Sequence, residues 1–258
     1  KVLLYLNPSL EVTSLFINGT TSLYEREKQV IGVPARLSPG DSLLLELSYK
    51  GQIDERICYL NVPDAEIADT RERMYLACRL GKRYSYLRKD FTLLIPEVLW
   101  YPTTVPPENP GSPYDNSRDF TRYSLRVRNY GKNKVISQGM RMKKGDQFVF
   151  RNESPLPGLT LNIGDYVTRQ LIVDSVTYEL HVWRKHASLL KLLNDRLLPS
   201  PVREGTSARS IIRGARHVAE ISAGNKYPYK RFQLVETPLD FTSYFRNEMK
   251  CSGFVQPE

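Results

Sequence analysis

The sequence predicts a mainly β fold: an antiparallel β-sandwich with a helical hairpin inserted before the last strand. Three observations predict it. Short runs of alternating apolar and polar residues, separated by turn residues, fill the chain from the start to about Val176. An apolar spacing of seven, three and four then appears in one stretch late in the chain, and a short β-like run, KRFQLV, follows it. With 41% hydrophobic and 25% charged residues over 258 positions, the chain has the composition of a globular protein, and no run nears the roughly 18 apolar residues that a membrane-spanning helix needs.

In order, LEVTSLFI (Leu10 to Ile17) is a strand, Asn18-Gly19 is a tight hairpin turn, and Thr21 to Val33 carries the return. Asn18-Gly19-Thr20 also matches a glycosylation acceptor, a weaker reading than the turn. After the turn Leu37-Ser38-Pro39-Gly40-Asp41, Leu43, Leu45 and Leu47 alternate with Leu44, Glu46 and Ser48, the pattern of a half-buried strand. Further strands are read at SYLRKDFTLLI, RYSLRVRNY, KVISQG, DQFVFRN and the long LTLNIGDYVTRQLIVDSVTYELHV. Around Tyr178 the period changes. Trp183, Leu190, Leu193 and Leu197 make the apolar stripe of an amphipathic helix that Pro199 and Pro201 stop, and Ser207 to Ile221 makes a second, ended by Gly224-Asn225. The insertion thus covers about residues 178–224 of a single domain spanning 1–258. The opening KVLLYLNPSL and the ending SGFVQPE read as the edges of a piece of a longer polypeptide, with 246–258 starting a passage into a further domain.

A count of 37 Lys and Arg against 28 Asp and Glu gives a net charge of +9. The densest groups, RLGKRYSYLRK, RMKK and RSIIRGARH, lie far apart, which argues for solvated faces and against a nucleic-acid surface. Cys58, Cys78 and Cys251 form no C-x-x-C pair; a Cys58–Cys78 bridge and buried free thiols both stay open. His181 and His186, if helical, point about 140° apart and do not share a metal ion. His217 reads as a solvated histidine between Arg216 and Val218. With no H-E-x-x-H, no G-x-S-x-G and no phosphate loop, the chain's own chemistry is that of a binding or scaffolding domain without catalytic residue, metal or cofactor.

LNPSLEVTSLFINGT, LSPGDSLLLELSYKGQI, IPEVLWYPTTVPP, LTLNIGDY and RFQLVETPLDF stand in an order that resembles the N-terminal β-sandwich domain of the zinc aminopeptidases of the membrane-alanyl-aminopeptidase and leukotriene A4 hydrolase type. Tyr227-Pro228-Tyr229-Lys230-Arg231-Phe232 is similar to a passage of the bacterial group whose peptidase-like region is fused to an ABC-transporter permease. The resemblance implies a noncatalytic domain that shapes the cleft of a downstream peptidase-like domain, with zinc held there, outside the cytoplasm and tethered to a membrane-embedded permease. It makes Trp100, Tyr101, Pro102, Thr103 and Thr104 a cleft rim. It also aligns Thr103 with the family's loop cysteine, Thr104 with its amine-binding glutamine or glutamate, and Val105 with its aspartate. A threonine hydroxyl is shorter and uncharged, so the contact to a substrate ammonium is weakened. Phe241, Tyr244, Phe245 and Phe254 are expected on the interdomain face. The alternative is a freestanding extracytoplasmic module that binds carbohydrate or another ligand through exposed Tyr84, Tyr86 and Tyr114.

Overall fold

The computed structural model describes residues 1–54, 57, 85–105, 120–128, 131–152, 154–156, 158–193, 207–238 and 253–257; at 189, 191–193 and 253–257 it describes the backbone alone. The three cysteines, Tyr84, Tyr114, Phe241, Tyr244 and Phe245 lie outside these residues, and so does the side chain of Phe254. Within the described residues the fold is mainly β, with antiparallel sheets, and it falls into two compact units. The first is drawn from Lys1–Thr121 and Pro155–Leu161, the second from Arg122–Ser154, Asn162–Leu239 and Ser243–Glu258.

The first unit is a small sandwich. One sheet is β1 (Val2–Tyr5), β5 (Val30–Val33) and β4 (Glu25–Glu27); the other is β3 (Thr20–Thr21), β2 (Leu10–Ile17) and β6 (Leu45–Gly51). Leu4, Leu6, Leu10, Val12, Leu15, Ile31 and Val33 form the core between them, and Leu45, Leu47 and Tyr49 pack against it as their alternation predicts. Each such aliphatic side chain contributes about 1.5–3 kcal/mol through burial. Along β2 the buried positions step from Leu10 and Val12 to Leu15, because a bulge between Val12 and Ser14 shifts the register against β6 by one residue. Asn18 (φ 49°) and Gly19 (φ 80°) make the expected left-handed hairpin turn, and the Asn18 side chain accepts the Leu44 amide at 3.1 Å. A short hairpin, β7 (Tyr86–Leu87) with β8 (Thr92–Leu94), leads into a 3₁₀ turn, Pro96–Val98.

In the second unit β9 (Ser124–Arg128), β12 (Gln147–Arg151) and β11 (Met140–Lys144) form an antiparallel sheet, and β10 (Lys134–Ser137) lies beside β13 (Leu161–Gly164). A second sheet has the order β14 (Tyr166–Val173), β15 (Val176–Trp183), β16 (Arg231–Glu236) and β17 (Gly253–Pro257). The β15–β16 pair is parallel, since the chain returns between them through the helix α1 (Ala208–Ala223).

Two expectations change here. Residues 178–183 are strand, as the run ending at Val182 predicts and against an insertion starting at about 178: all eight residues of β15 pair with β14, from Val176 opposite Val173 to Trp183 opposite Tyr166. The segment that follows, Arg184–Leu193, is a 3₁₀ run broken at His186 (φ −106°, ψ 17°), whose ring contacts Glu236, so the described residues of the insertion contain a single α-helix. That helix has the predicted ends. Ser207 accepts the Ser210 amide at 3.2 Å, and Gly224 closes it at φ 66°. Only part of its apolar surface is used for packing. Ala208 and Ile212 meet Leu171, Val173 and Tyr178, whereas Ile211, Val218 and Ile221 are exposed. Arginines decide that orientation. Arg213 and Arg216 both hold Asp174, the latter at 2.7 Å, and Arg209 donates to the Ile172 carbonyl.

Asp174 (φ 46°) and Ser175 (φ 70°) form the left-handed β14–β15 turn, and the Arg213 hydrogen bond, with the Arg213 and Arg216 charges, keeps the Asp174 carboxyl below its ordinary value. A depressed carboxylate pKa stabilises the fold above the unfolded-state value, near 3.8, and that contribution is lost as pH falls through the folded value. Melting temperature is therefore expected to decline from about pH 5 downward. Asp174→Asn, which keeps the turn geometry, is expected to flatten that decline when helix content is followed by circular dichroism.

Candidate functional site

Two places carry the functional questions, one in each unit. In the first unit Trp100 to Thr104 follow Leu99, whose left-handed backbone (φ 51°) turns the chain out of the 3₁₀ turn. The turn is held from behind by Asn7, which is fully buried. Its amide donates to the carbonyls of Val98 (2.7 Å) and Asp54 (2.8 Å), while its oxygen accepts the Ser9 and Asp54 amides and the Ser9 hydroxyl.

Trp100 and Tyr101 are half-buried and meet edge to face at 4.9 Å. Both grip one backbone segment: the Trp100 indole donates to the Leu159 carbonyl (3.2 Å), and the Tyr101 hydroxyl accepts the Leu159 amide (3.0 Å). Gly158 makes this approach possible, because a Cβ there would lie 2.5 Å from the Pro96 ring. Tyr49, whose hydroxyl is pushed above its ordinary pKa by burial, donates to the Trp100 carbonyl at 3.1 Å. Thr103 exchanges two backbone hydrogen bonds with Tyr5, and its hydroxyl accepts the Val105 amide. Of the five residues from Trp100 to Thr104, Thr104 alone is exposed. The aromatics thus act as a brace, and Thr104 is the position this loop presents outward. Tyr86, expected as an exposed ligand platform, is instead fully buried against Phe91, with ring centroids 5.5 Å apart, because it alternates inward on its hairpin.

The second place was not foreseen from the sequence. A pocket of about 340 Å³ opens in the second unit between the β14–β15–β16 face and the strands β10, β11 and β12. Thr168 and Gln170 on β14, Glu179 and His181 on β15, and Arg231 and Gln233 on β16 form its polar wall. These residues alternate with Leu171 and Val173, which face α1, so one face of the sheet is apolar and covered while the other is polar and lines the pocket.

His181 is at the centre, 3% exposed. Its Nε2 faces two acceptors, Gln233 Oε1 at 3.2 Å and Glu179 Oε2 at 3.3 Å, while Nδ1 is 2.7 Å from the Thr168 hydroxyl. Gln233 is oriented by donating its amide to the Ser137 carbonyl at 3.2 Å. In the neutral ring the proton therefore lies on Nε2, and Thr168 donates to Nδ1 while accepting from Lys134. A continuous path runs from the Lys134 ammonium through Thr168 and His181 to Glu179. Glu179 also accepts from Gln170 and lies 3.8 Å from Arg231. Burial pushes the Glu179 carboxyl up, but the His181 hydrogen bond, the Arg231 charge and Gln170 outweigh it, so it titrates below its ordinary value. Burial, and next the charge of Arg141, pull the Lys134 ammonium down.

His181 and His186 are not helical neighbours as predicted: one is inside a strand and the other faces Glu236. His217 is exposed on α1. Among the described residues no three His, Cys, Asp or Glu side chains are grouped to hold a metal ion, and no helix is long and apolar enough to cross a membrane.

No protein-family model matches the sequence, and no curated protein is significantly similar to it. Solved structures do match. Aminopeptidase A of Legionella pneumophila, in complex with aspartic acid, superposes over 93% of this chain with a TM-score of 0.56 at 10% identity. A mutant M1 zinc metallopeptidase of Deinococcus radiodurans does so over 92% with 0.57 at 14%, and native yeast LTA4 hydrolase over 94% with 0.53 at 11%. This chain spans 26%, 48% and 32% of those chains. At such identities the likeness establishes a shared fold: the chain folds like a part of these larger peptidases.

Proposed function

We propose that this chain is a noncatalytic β domain of a larger peptidase-like protein, packing beside a downstream metallopeptidase-like domain and shaping its cleft through the Trp100 to Thr104 loop. The observation that carries the reading is coverage: more than nine-tenths of this chain, but no more than half of the matched peptidases, is shared. The order of short motifs from LNPSLEVTSLFINGT to RFQLVETPLDF supports it independently. In this reading zinc belongs to the downstream domain, and Thr104 occupies the position that would otherwise hold a substrate's ammonium, with a hydroxyl too short and too weak an acceptor to do so. The passage YPYKRFQLVE further supports placing the parent outside the cytoplasm, joined to a permease. Burial of Tyr86 weighs against the freestanding binding module.

The test is to read the coding sequence beyond Glu258 and to measure metal in the extended protein and in the 258-residue chain. A metallopeptidase-like segment with H-E-x-x-H, and about one zinc per extended protein but none in the short chain, is the expected result. A following segment unrelated to metallopeptidases would sink the proposal.

A further inference from the structure

The pocket is built from residues of the second unit alone, and its chemistry is unbalanced. Lys134, Arg141 and Arg231 bring three positive charges to its wall, against the single carboxylate of Glu179. Glu179 is already engaged by His181, Gln170 and Arg231, and Arg231 also donates to the Gly139 carbonyl. Among the described residues the Lys134 ammonium has one hydrogen-bond partner, the neutral Thr168 hydroxyl. Arg141 makes no hydrogen bond or ion pair among the described residues.

We propose that this pocket is a binding site for a small anion bearing a carboxylate or phosphate group, with Arg141 and Lys134 as its charge partners. Two cations facing one cavity repel each other, and the lowered Lys134 pKa registers that repulsion together with burial. An anion between them would remove it. Local structure fixes their approach. The Ser137-Gln138-Gly139 turn joins the strands that carry Lys134 and Arg141, and Gly139 (φ 85°) lies so close to the Arg151 backbone that a Cβ would be 2.4 Å from its carbonyl oxygen. Arg141 pairs across the ladder with Phe150, which, with Ile136, gives the cavity an apolar wall beside its cationic one. A guanidinium offers two parallel donors to such an anion, and the volume of about 340 Å³ suits a small organic acid or phosphate ester. An exposed, unpaired arginine alone would be an ordinary solvated side chain. The difference is its convergence with the partly buried Lys134 on one open, largely polar pocket.

The inference does not rest on the proposed peptidase association, and its test uses the 258-residue chain. Inorganic phosphate and succinate are titrated separately by calorimetry at low ionic strength. At least one is expected to bind with a stoichiometry of one, and the probe that binds identifies the group recognised. Arg141→Gln, at an exposed strand position, and Lys134→Met are each expected to weaken binding about tenfold or more, whereas Lys50→Gln, on the first unit, leaves it unchanged. Circular dichroism checks each fold; should Lys134→Met unfold, Arg141→Gln decides. Failure of both probes to bind, or wild-type affinity in a folded Arg141→Gln or Lys134→Met variant, overturns the proposal.

Discussion

Replacing Glu179 with alanine is expected to destabilise the second unit by about 3 kcal/mol. The side chain is 9% exposed and ties three groups from three strands: Gln170 on β14, His181 on β15 and Arg231 on β16. Without it, the His181 Nε2 proton keeps only Gln233, Gln170 loses its acceptor, and Arg231 retains its charge beside two other cations in a pocket whose described lining holds no other carboxylate. Each buried donor left unsatisfied costs about 1–3 kcal/mol. Hydrogen exchange resolved by mass spectrometry reads the effect in place: protection falls in peptides covering Tyr166 to Trp183 and stays in those covering Leu10 to Ile17. Glu179→Gln, which keeps oxygen and shape but not charge, is expected to lose less. Equal protection in wild type and Glu179→Ala would show that the polar network contributes nothing net to the fold.

The second large effect is expected at Asn7, again about 3 kcal/mol for Asn7→Ala, this time in the first unit. Five side-chain hydrogen bonds converge on this fully buried amide, two donated and three accepted. Asn7→Asp is the informative companion. It preserves the acceptor side toward Ser9 and Asp54 but turns a carboxylate oxygen toward the carbonyls of Val98 and Asp54, so it is expected to be no more stable than alanine. Urea unfolding followed by tryptophan fluorescence in a Trp183→Phe background, where Trp100 alone reports, measures the shift. A fully stable Asn7→Asp would mean that the bonds Asn7 donates to the carbonyls of Val98 and Asp54 contribute little.

Much of the fold was legible wherever the cue was local. Asn18-Gly19 demands left-handed backbone, Leu45 and Leu47 alternate against one core, and Ser207 and Gly224 cap a helix; no distant residue was needed to read them. The helical insertion was started too early, at Tyr178, because Trp183 sits seven residues before Leu190, a helical spacing, although its partner strand holds Trp183 extended. On α1 the apolar stripe pointed one way and the arginines the other, and a single aspartate in a distant turn settled the matter. The pocket was hidden for a related reason. Thr168 and Gln170, Glu179 and His181, and Arg231 and Gln233 each look like the wet side of a half-buried strand, and only assembly of the sheet turns those sides inward to a common cavity. Resemblance singled out the loop from Trp100 to Thr104, but the anchoring of its aromatics to Leu159 depends on residues nearly 60 positions away, which no local pattern encodes.

The parallel pairing of β15 with β16 also sets an order of events. β14 and β15 are joined by the two-residue turn at Asp174 and Ser175, so their hairpin can zip in microseconds. β16 must find β15 across a loop of about 50 residues, a closure whose entropy is met before any ladder bond forms. Until it arrives, β15 has an open edge, and the row carrying Glu179 and His181 lacks Arg231 and Gln233. The unit therefore acquires its polar pocket late in folding, and a nascent chain that has not yet delivered Arg231 displays an unpaired strand to its neighbours.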